Sequence, residues 1–167
     1  ARNFLATAFH VVSDDPKARW LHEFADVSYW LICSDTGTNI RLEPVNCDSH
    51  ADVAVLRVSP DSIGAKPPSL QSLPVCEWGA SIGTAWSAPA YPEVADGALV
   101  TLTGEIKGIR HERGNHVLEL LVSEGGSVSW AGASGSPVAS NGRVIGLLLA
   151  ELKDTATQDA VSVQSAL

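Results

Sequence analysis

At 167 residues and 45% hydrophobic, the chain carries enough apolar material for one domain, or for two small lobes sharing an interface, which excludes disorder as the starting expectation. Its net charge is −8, and it has no basic cluster to displace counterions from a phosphate backbone, so a nucleic-acid partner is excluded. The apolar runs are short and broken by Gly, Pro or charge, so no membrane span is expected.

In chain order, the recurring pattern is a short apolar or alternating run bounded by turn residues, the mark of strands rather than helices. Phe4 to Val12 is the first such run and Val27 to Cys33 the second. Asn39 to Val45 alternates, and Val53 to Val58 is apolar apart from Arg57. The stretch Ser59 to Pro74 holds Pro60, Pro67, Pro68 and Pro74, none of which can donate to a ladder, so it reads as a connector. Strands follow at Ala98 to Ile106 and His116 to Val122, joined through Arg113-Gly114-Asn115. Pro137 to Ala139 and Arg143 to Leu149 flank Asn141-Gly142, a hairpin signal because both turn residues tolerate positive φ. Ala160 to Leu167 reads as a strand or a short terminal helix. The expectation is an all-β chain of two barrel-like lobes, residues 1–58 and 76–167, joined by residues 59–75.

Three segments carry residues suited to chemistry. In Gly132-Ala133-Ser134-Gly135, small neighbours let the backbone turn so that two N–H groups point at one spot beside the Ser134 hydroxyl. Such a turn is common, and taken singly it is weak evidence. His10 closes the first apolar run, where a half-buried structural histidine is the ordinary alternative to a general base. Asp52 opens the Val53–Val58 strand; its carboxylate needs partners if buried, which a histidine ring supplies, although an Asp capping a loop is equally ordinary.

Together the three segments resemble the trypsin-like (chymotrypsin-fold) serine peptidases, and especially the bacterial branch that includes HtrA-type proteases. Thr7-Ala8-Phe9-His10-Val11-Val12 matches the family's "T-A-x-H-V-V" and Asp52-Val53-Ala54-Val55-Leu56 its "D-[IV]-A-[VL]-L". Gly132 to Val138 matches "G-x-S-G-[GSA]-P-[VL]", and the Gly142–Gly146 segment the strand that follows. The order His, Asp, Ser is also this family's order. The resemblance implies a serine endopeptidase working through an acyl-enzyme. Ser134 would be the nucleophile, His10 the base and later the acid, and Asp52 the residue orienting His10, with Asp48 a nearby competitor. The oxyanion hole would be the N–H groups of Gly132 and Ser134. The pocket for the residue before the scissile bond would be lined by 128–132 and the strand from Leu147 to Glu151. Val128 implies an apolar or small side chain there, while Glu151 at the rim leaves a basic one open. Substrate main chain would pair with Leu147 to Ala150, placing Leu149, Ala150 and Glu151 beside it.

Some positions depart from the family. Ala133 stands where secreted animal members carry an Asp that pairs with a new N-terminus, and Val11 where many carry a disulfide cysteine. Both imply the intracellular-compatible branch. Only nine residues precede His10, where the family places a further strand, implying an N-terminal lobe with an open edge. The implied protein is a regulated protease module of a longer bacterial chain, its partners a polypeptide substrate and a regulatory module. A catalytically latent peptide-binding domain is the alternative.

The remaining candidates read more plainly. Cys33, Cys47 and Cys76 lack C-x-x-C spacing; buried thiols are expected, with a Cys33–Cys47 bridge left open. Cys47, Asp48 and His50 crowd one short turn, too few ligands for a metal, and no cofactor is expected. His22, His50, His111 and His116 read as surface or loop residues, and Trp20, Trp30, Trp78, Trp86 and Trp130 as packing residues. There is no secretory leader pattern, which leans toward a cytoplasmic location, and the absence of an initiator Met implies processing or excision.

Overall fold

The structure, a computed structural model, describes residues 4–13, 28–33, 37–60, 74, 80–96, 98–112, 115–123, 131–151 and 157–162. Contacts divide the chain into two compact units, Ala1–Ser72 and Leu73–Leu167.

The first unit is an antiparallel sheet of four strands: β1 (Phe4–Ala8), β2 (Tyr29–Cys33), β3 (Thr38–Asp48) and β4 (Val53–Val58), in the order β1-β4-β3-β2. Among the described residues it is open. Strand alternation puts Ile40, Leu42 and Leu56 on one buried face, with Leu5, Leu31 and Val58 packed against them. β3 runs past the expected Asn39–Val45 and includes Pro44. The β2 pairing ends at Tyr29 opposite Leu42, and the β4 register shifts between Pro44 and Asn46, so the missing N–H falls where it spoils least of the ladder. At the sheet margin, Glu43 accepts hydrogen bonds from Ser59 Oγ and Arg57 Nη2, both at 2.7 Å. The Ser59 bond and then the Arg57 bond hold its carboxyl below the ordinary glutamate pKa.

The expected Phe4–Val12 strand ends early. After Ala8 the chain makes one helical turn, α1 (Phe9–Val12), so His10 sits on a helical turn and does not close a strand. Val11 and Val12 favour extended backbone, but tertiary bonds override them. The Phe9 N–H donates to the Asp52 carbonyl at 3.0 Å, and the Phe9 side chain is buried against Ala54. The Tyr29 hydroxyl donates to the Val12 carbonyl at 2.8 Å, and burial raises its pKa.

The second unit is a closed six-stranded barrel. Its strands are β5 (Ala85–Ala90), β6 (Val100–Glu112), β7 (Asn115–Val122), β8 (Pro137–Ser140), β9 (Arg143–Glu151) and β10 (Thr157–Ser162), in the order β10-β7-β6-β5-β8-β9. β5 was not anticipated. Its inward residues Trp86, Ala88 and Ala90 alternate with Ala85, Ser87 and Pro89, a pattern blurred by small residues. β6 extends beyond the expected Ala98–Ile106 through a register shift between Ile106 and Gly108. Of the expected Ala160–Leu167 segment, the residues up to Ser162 belong to strand β10, and residues 163–167 lie outside the described set. The barrel core gathers Trp86, Leu102, Ile106, Leu118, Leu120, Val138, Ile145 and Leu148. Asn141 and Gly142 take φ of 49° and 73°, as the hairpin signal required.

Trp86 packs as expected, whereas Trp30 is 54% exposed; Trp20, Trp78 and Trp130 lie outside the described residues. Cys47 is a thiol packed beside Phe9 and Ala54, and the side chain of Cys33 lies outside the described set. Most of the Pro-rich connector, residues 61–73, is likewise outside it. Among the described residues no helix is long and apolar enough to cross a membrane, and no three His, Cys, Asp or Glu residues are grouped to hold a metal.

Candidate active site

In the first unit, Asp52 sits in the turn before β4 with φ of 55°, a left-handed conformation that Asp tolerates better than most residues. Its carboxylate then faces α1 with both oxygens engaged. Oδ1 accepts the His10 backbone N–H at 2.9 Å, and Oδ2 lies 2.7 Å from His10 Nδ1. With the Phe9 N–H on the Asp52 carbonyl, three contacts tie the turn bearing His10 to Asp52. An ionised carboxylate against Nδ1 favours the tautomer with hydrogen on Nδ1, leaving Nε2 as the acceptor. The His10 side chain is 48% exposed, so the ring reaches solvent. Asp48, the competitor, is turned elsewhere: its Oδ1 accepts the N–H groups of His50 and Ala51, capping the turn at 2.8 and 3.0 Å.

In the second unit, Ser134 lies between Gly132 (φ 87°) and Gly135 (φ 83°). Two positive-φ residues in four need glycine, and they fold the chain tightly around the hydroxyl. The turn is anchored to β9, with the Gly135 N–H on the Leu148 carbonyl at 2.7 Å and the Leu148 N–H on the Ser136 carbonyl at 2.9 Å. Ala133 is buried in the barrel core at 2% exposure, so a carboxylate there would be buried without a counter-charge. Ser134 Oγ donates to the Leu149 carbonyl at 3.0 Å. Among the described residues, the N–H groups of Gly132 and Ser134 donate to nothing.

A backbone brace went unseen in the sequence because it uses no side chain. After β5, a 3-10 turn (Glu93–Ala95) brings the Glu93 N–H to the Ala131 carbonyl at 2.8 Å. A Cβ at Gly132 would stand 3.1 Å from the Tyr91 carbonyl oxygen and 3.3 Å from the Glu93 nitrogen.

Of the expected substrate-facing residues, Val128 lies outside the described set. Leu149, Ala150 and Glu151 close β9, where Ala150 and Glu151 pair only with β10 among the described residues. Of the expected Leu147–Ala150 stretch, the Leu149 carbonyl is taken by Ser134 Oγ, so among the described residues only Ala150 and Glu151 leave one side of β9 unpaired. Leu147 pairs with Pro137, and both polar groups of Leu148 are taken by Gly135 and Ser136.

The family model of the trypsin-like peptidase domain matches residues 1–147. The chain belongs to the trypsin-like peptidase domain family. No curated protein matches it. This peptidase domain shares its fold with the HtrA-type protease AlgW bound to a decapeptide, at 17% identity and a TM-score of 0.73, covering 98% of this chain and 46% of that one. It is also similar to the active form of the Rv3671c protease from M. tuberculosis (20% identity, TM-score 0.69, 95% of this chain and 64% of that one). The inactive form of that protease matches at 19% identity and a TM-score of 0.67, over 98% of this chain and 75% of the other. The peptidase domain thus spans about half the length of AlgW and under two-thirds of the active Rv3671c chain.

Proposed function

We propose that this domain is a serine endopeptidase that cleaves peptide bonds through an acyl-enzyme, with His10, Asp52 and Ser134 as its triad. The observation that carries the reading is the His10–Asp52 pair, in which the Asp52 carboxylate meets both the backbone N–H and the ring Nδ1 of His10 and leaves Nε2 to accept a proton. In the proposed first step the Ser134 oxygen attacks the carbonyl carbon and its proton passes to His10 Nε2. His10 then returns that proton to the leaving amine, and water repeats the sequence on the ester. The N–H groups of Gly132 and Ser134, which donate to nothing among the described residues, support an oxyanion-stabilising role. The end of β9 at Ala150 and Glu151, unpaired on one side among the described residues, supports pairing with an extended polypeptide, and Val128 supports a small or apolar residue before the cleaved bond. The same reading makes the domain one module of a longer, regulated protease.

Labelling with a fluorophosphonate tests the reading. The parent chain is expected to take up one equivalent on Ser134, and Ser134→Ala none. A folded parent that stays unlabelled overturns it.

The brace supplies a second test. Gly132→Ala places its methyl against two backbone atoms while forcing φ of 87° on an alanine. Labelling is expected to slow by about 100-fold, the effect of losing one oxyanion donor. Gly142→Ala is the control, since it shares the positive φ but its Cβ meets nothing.

A further inference from the structure

At the outer end of the β6–β7 hairpin, His111 stands directly opposite His116. Residues so paired project to the same face of a sheet with Cβ atoms about 5 Å apart. Their imidazole centroids are 4.3 Å apart and the ring planes meet at 63°. We propose that this pair is a chelating site for a divalent transition ion of tetragonal preference, Cu²⁺ or Ni²⁺.

The spacing carries the choice of ion. With the metal about 2.0 Å from each nitrogen and each ring centre about 1.2 Å behind it, two imidazoles at adjacent tetragonal corners hold their centroids about 4.5 Å apart. Tetrahedral ligation sets them about 5.2 Å apart on the same distances, so the observed 4.3 Å matches the tetragonal ion better. The surroundings keep the rings in register. One pair further along the same face, Ile109 lies opposite Leu118; Ile109 packs on the barrel core and Leu118 belongs to it. The histidines therefore rise from an apolar floor on a closed barrel, and the strands bearing them have little freedom to part. Glu112 alternates to the other face, where its carboxylate meets Arg110 Nε at 3.2 Å. The protein thus supplies two nitrogens, and water fills the other positions.

Copper(II) iminodiacetate is the suitable probe, because its chelator leaves room for two adjacent nitrogens. Titrated into the whole chain, it is expected to bind once, with two protein nitrogens visible in the electron paramagnetic resonance spectrum. Chelation makes the second ligation intramolecular, so His111→Ala and His116→Asn should each weaken binding by about 100-fold. His111 is exposed, so its variant tests the site without disturbing the core. His10→Ala should bind like the parent, which separates this site from the proposed triad. Equal binding by parent and His111→Ala overturns the proposal, as does loss of binding in His10→Ala alone or a spectrum with one protein nitrogen.

Discussion

If His10, Asp52 and Ser134 act as the proposed triad, Asp52→Asn is expected to lower the acylation rate about 10⁴-fold with the fold intact. In the parent, both Asp52 oxygens accept from His10, one from its backbone N–H and one from its ring. An asparagine has only one acceptor to offer. If its oxygen stays on the backbone N–H, its amide group faces Nδ1 and donates to it, which moves the ring hydrogen to Nε2. The ring then has no lone pair for the proton that the proposed attack by Ser134 would deliver. If the amide flips, two donors meet at the His10 backbone and the turn is pushed away. Either outcome disables the base without removing any side-chain volume. Stopped-flow labelling of parent and variant checks the rate. Asp48→Asn should label within a few-fold of the parent, because an amide oxygen can keep both bonds that Asp48 accepts.

The largest stability effect is expected at Gly104. A Cβ there would lie 1.8 Å from the Leu121 carbonyl oxygen and 2.9 Å from its carbon, with Trp86 Nε1 at 3.1 Å. The obstacle is backbone in the neighbouring strand, which cannot rotate aside as a side chain can. β6 is held by β7 on one side and β5 on the other, and the ring of strands is closed, so relief at one seam strains the next. Gly104→Ala is expected to cost about 3 kcal/mol or more, at the upper end of overpacking effects. Gly108→Ala on the same strand is crowded by the carboxylate end of Glu119, at 3.1 Å, a group able to swing away, with the Glu119 Cβ at an ordinary 3.6 Å, and should cost under about 1 kcal/mol. Urea unfolding of the two variants makes the comparison, and equal losses would contradict it.

The sequence made the barrel's hairpins legible where local chemistry governs them. Asn141-Gly142 accepts the two consecutive positive φ angles of the turn, which few other residue pairs tolerate. The Val53–Val58 strand is likewise a continuous apolar run with the expected bounds. What escaped is set by distant partners. His10 lies on a helical turn because Asp52, 42 residues away, holds it there, and nothing in Phe9-His10-Val11-Val12 records that contact. β5 escaped because alanine and serine barely distinguish an inside from an outside. The Glu93 brace on Ala131 is drawn by peptide groups alone and leaves no side-chain trace. Family motifs singled out His10, Asp52 and Ser134 as candidates; the hydrogen bonding around each became visible only in three dimensions.

One edge of the first unit bears on how the protein behaves at high concentration. Among the described residues β1 pairs with β4 on one side only, and its five residues, Phe4-Leu5-Ala6-Thr7-Ala8, include no charge and no proline. Phe4 is 53% exposed. Natural sheets guard such margins with lysine, proline or a bulge, and β1 carries none of these. A second molecule offering an extended segment would find an unguarded ladder to continue. Self-association through this strand, rising with concentration and relieved by Phe4→Lys or Ala6→Lys, both at exposed positions, is the solubility hazard written into the fold.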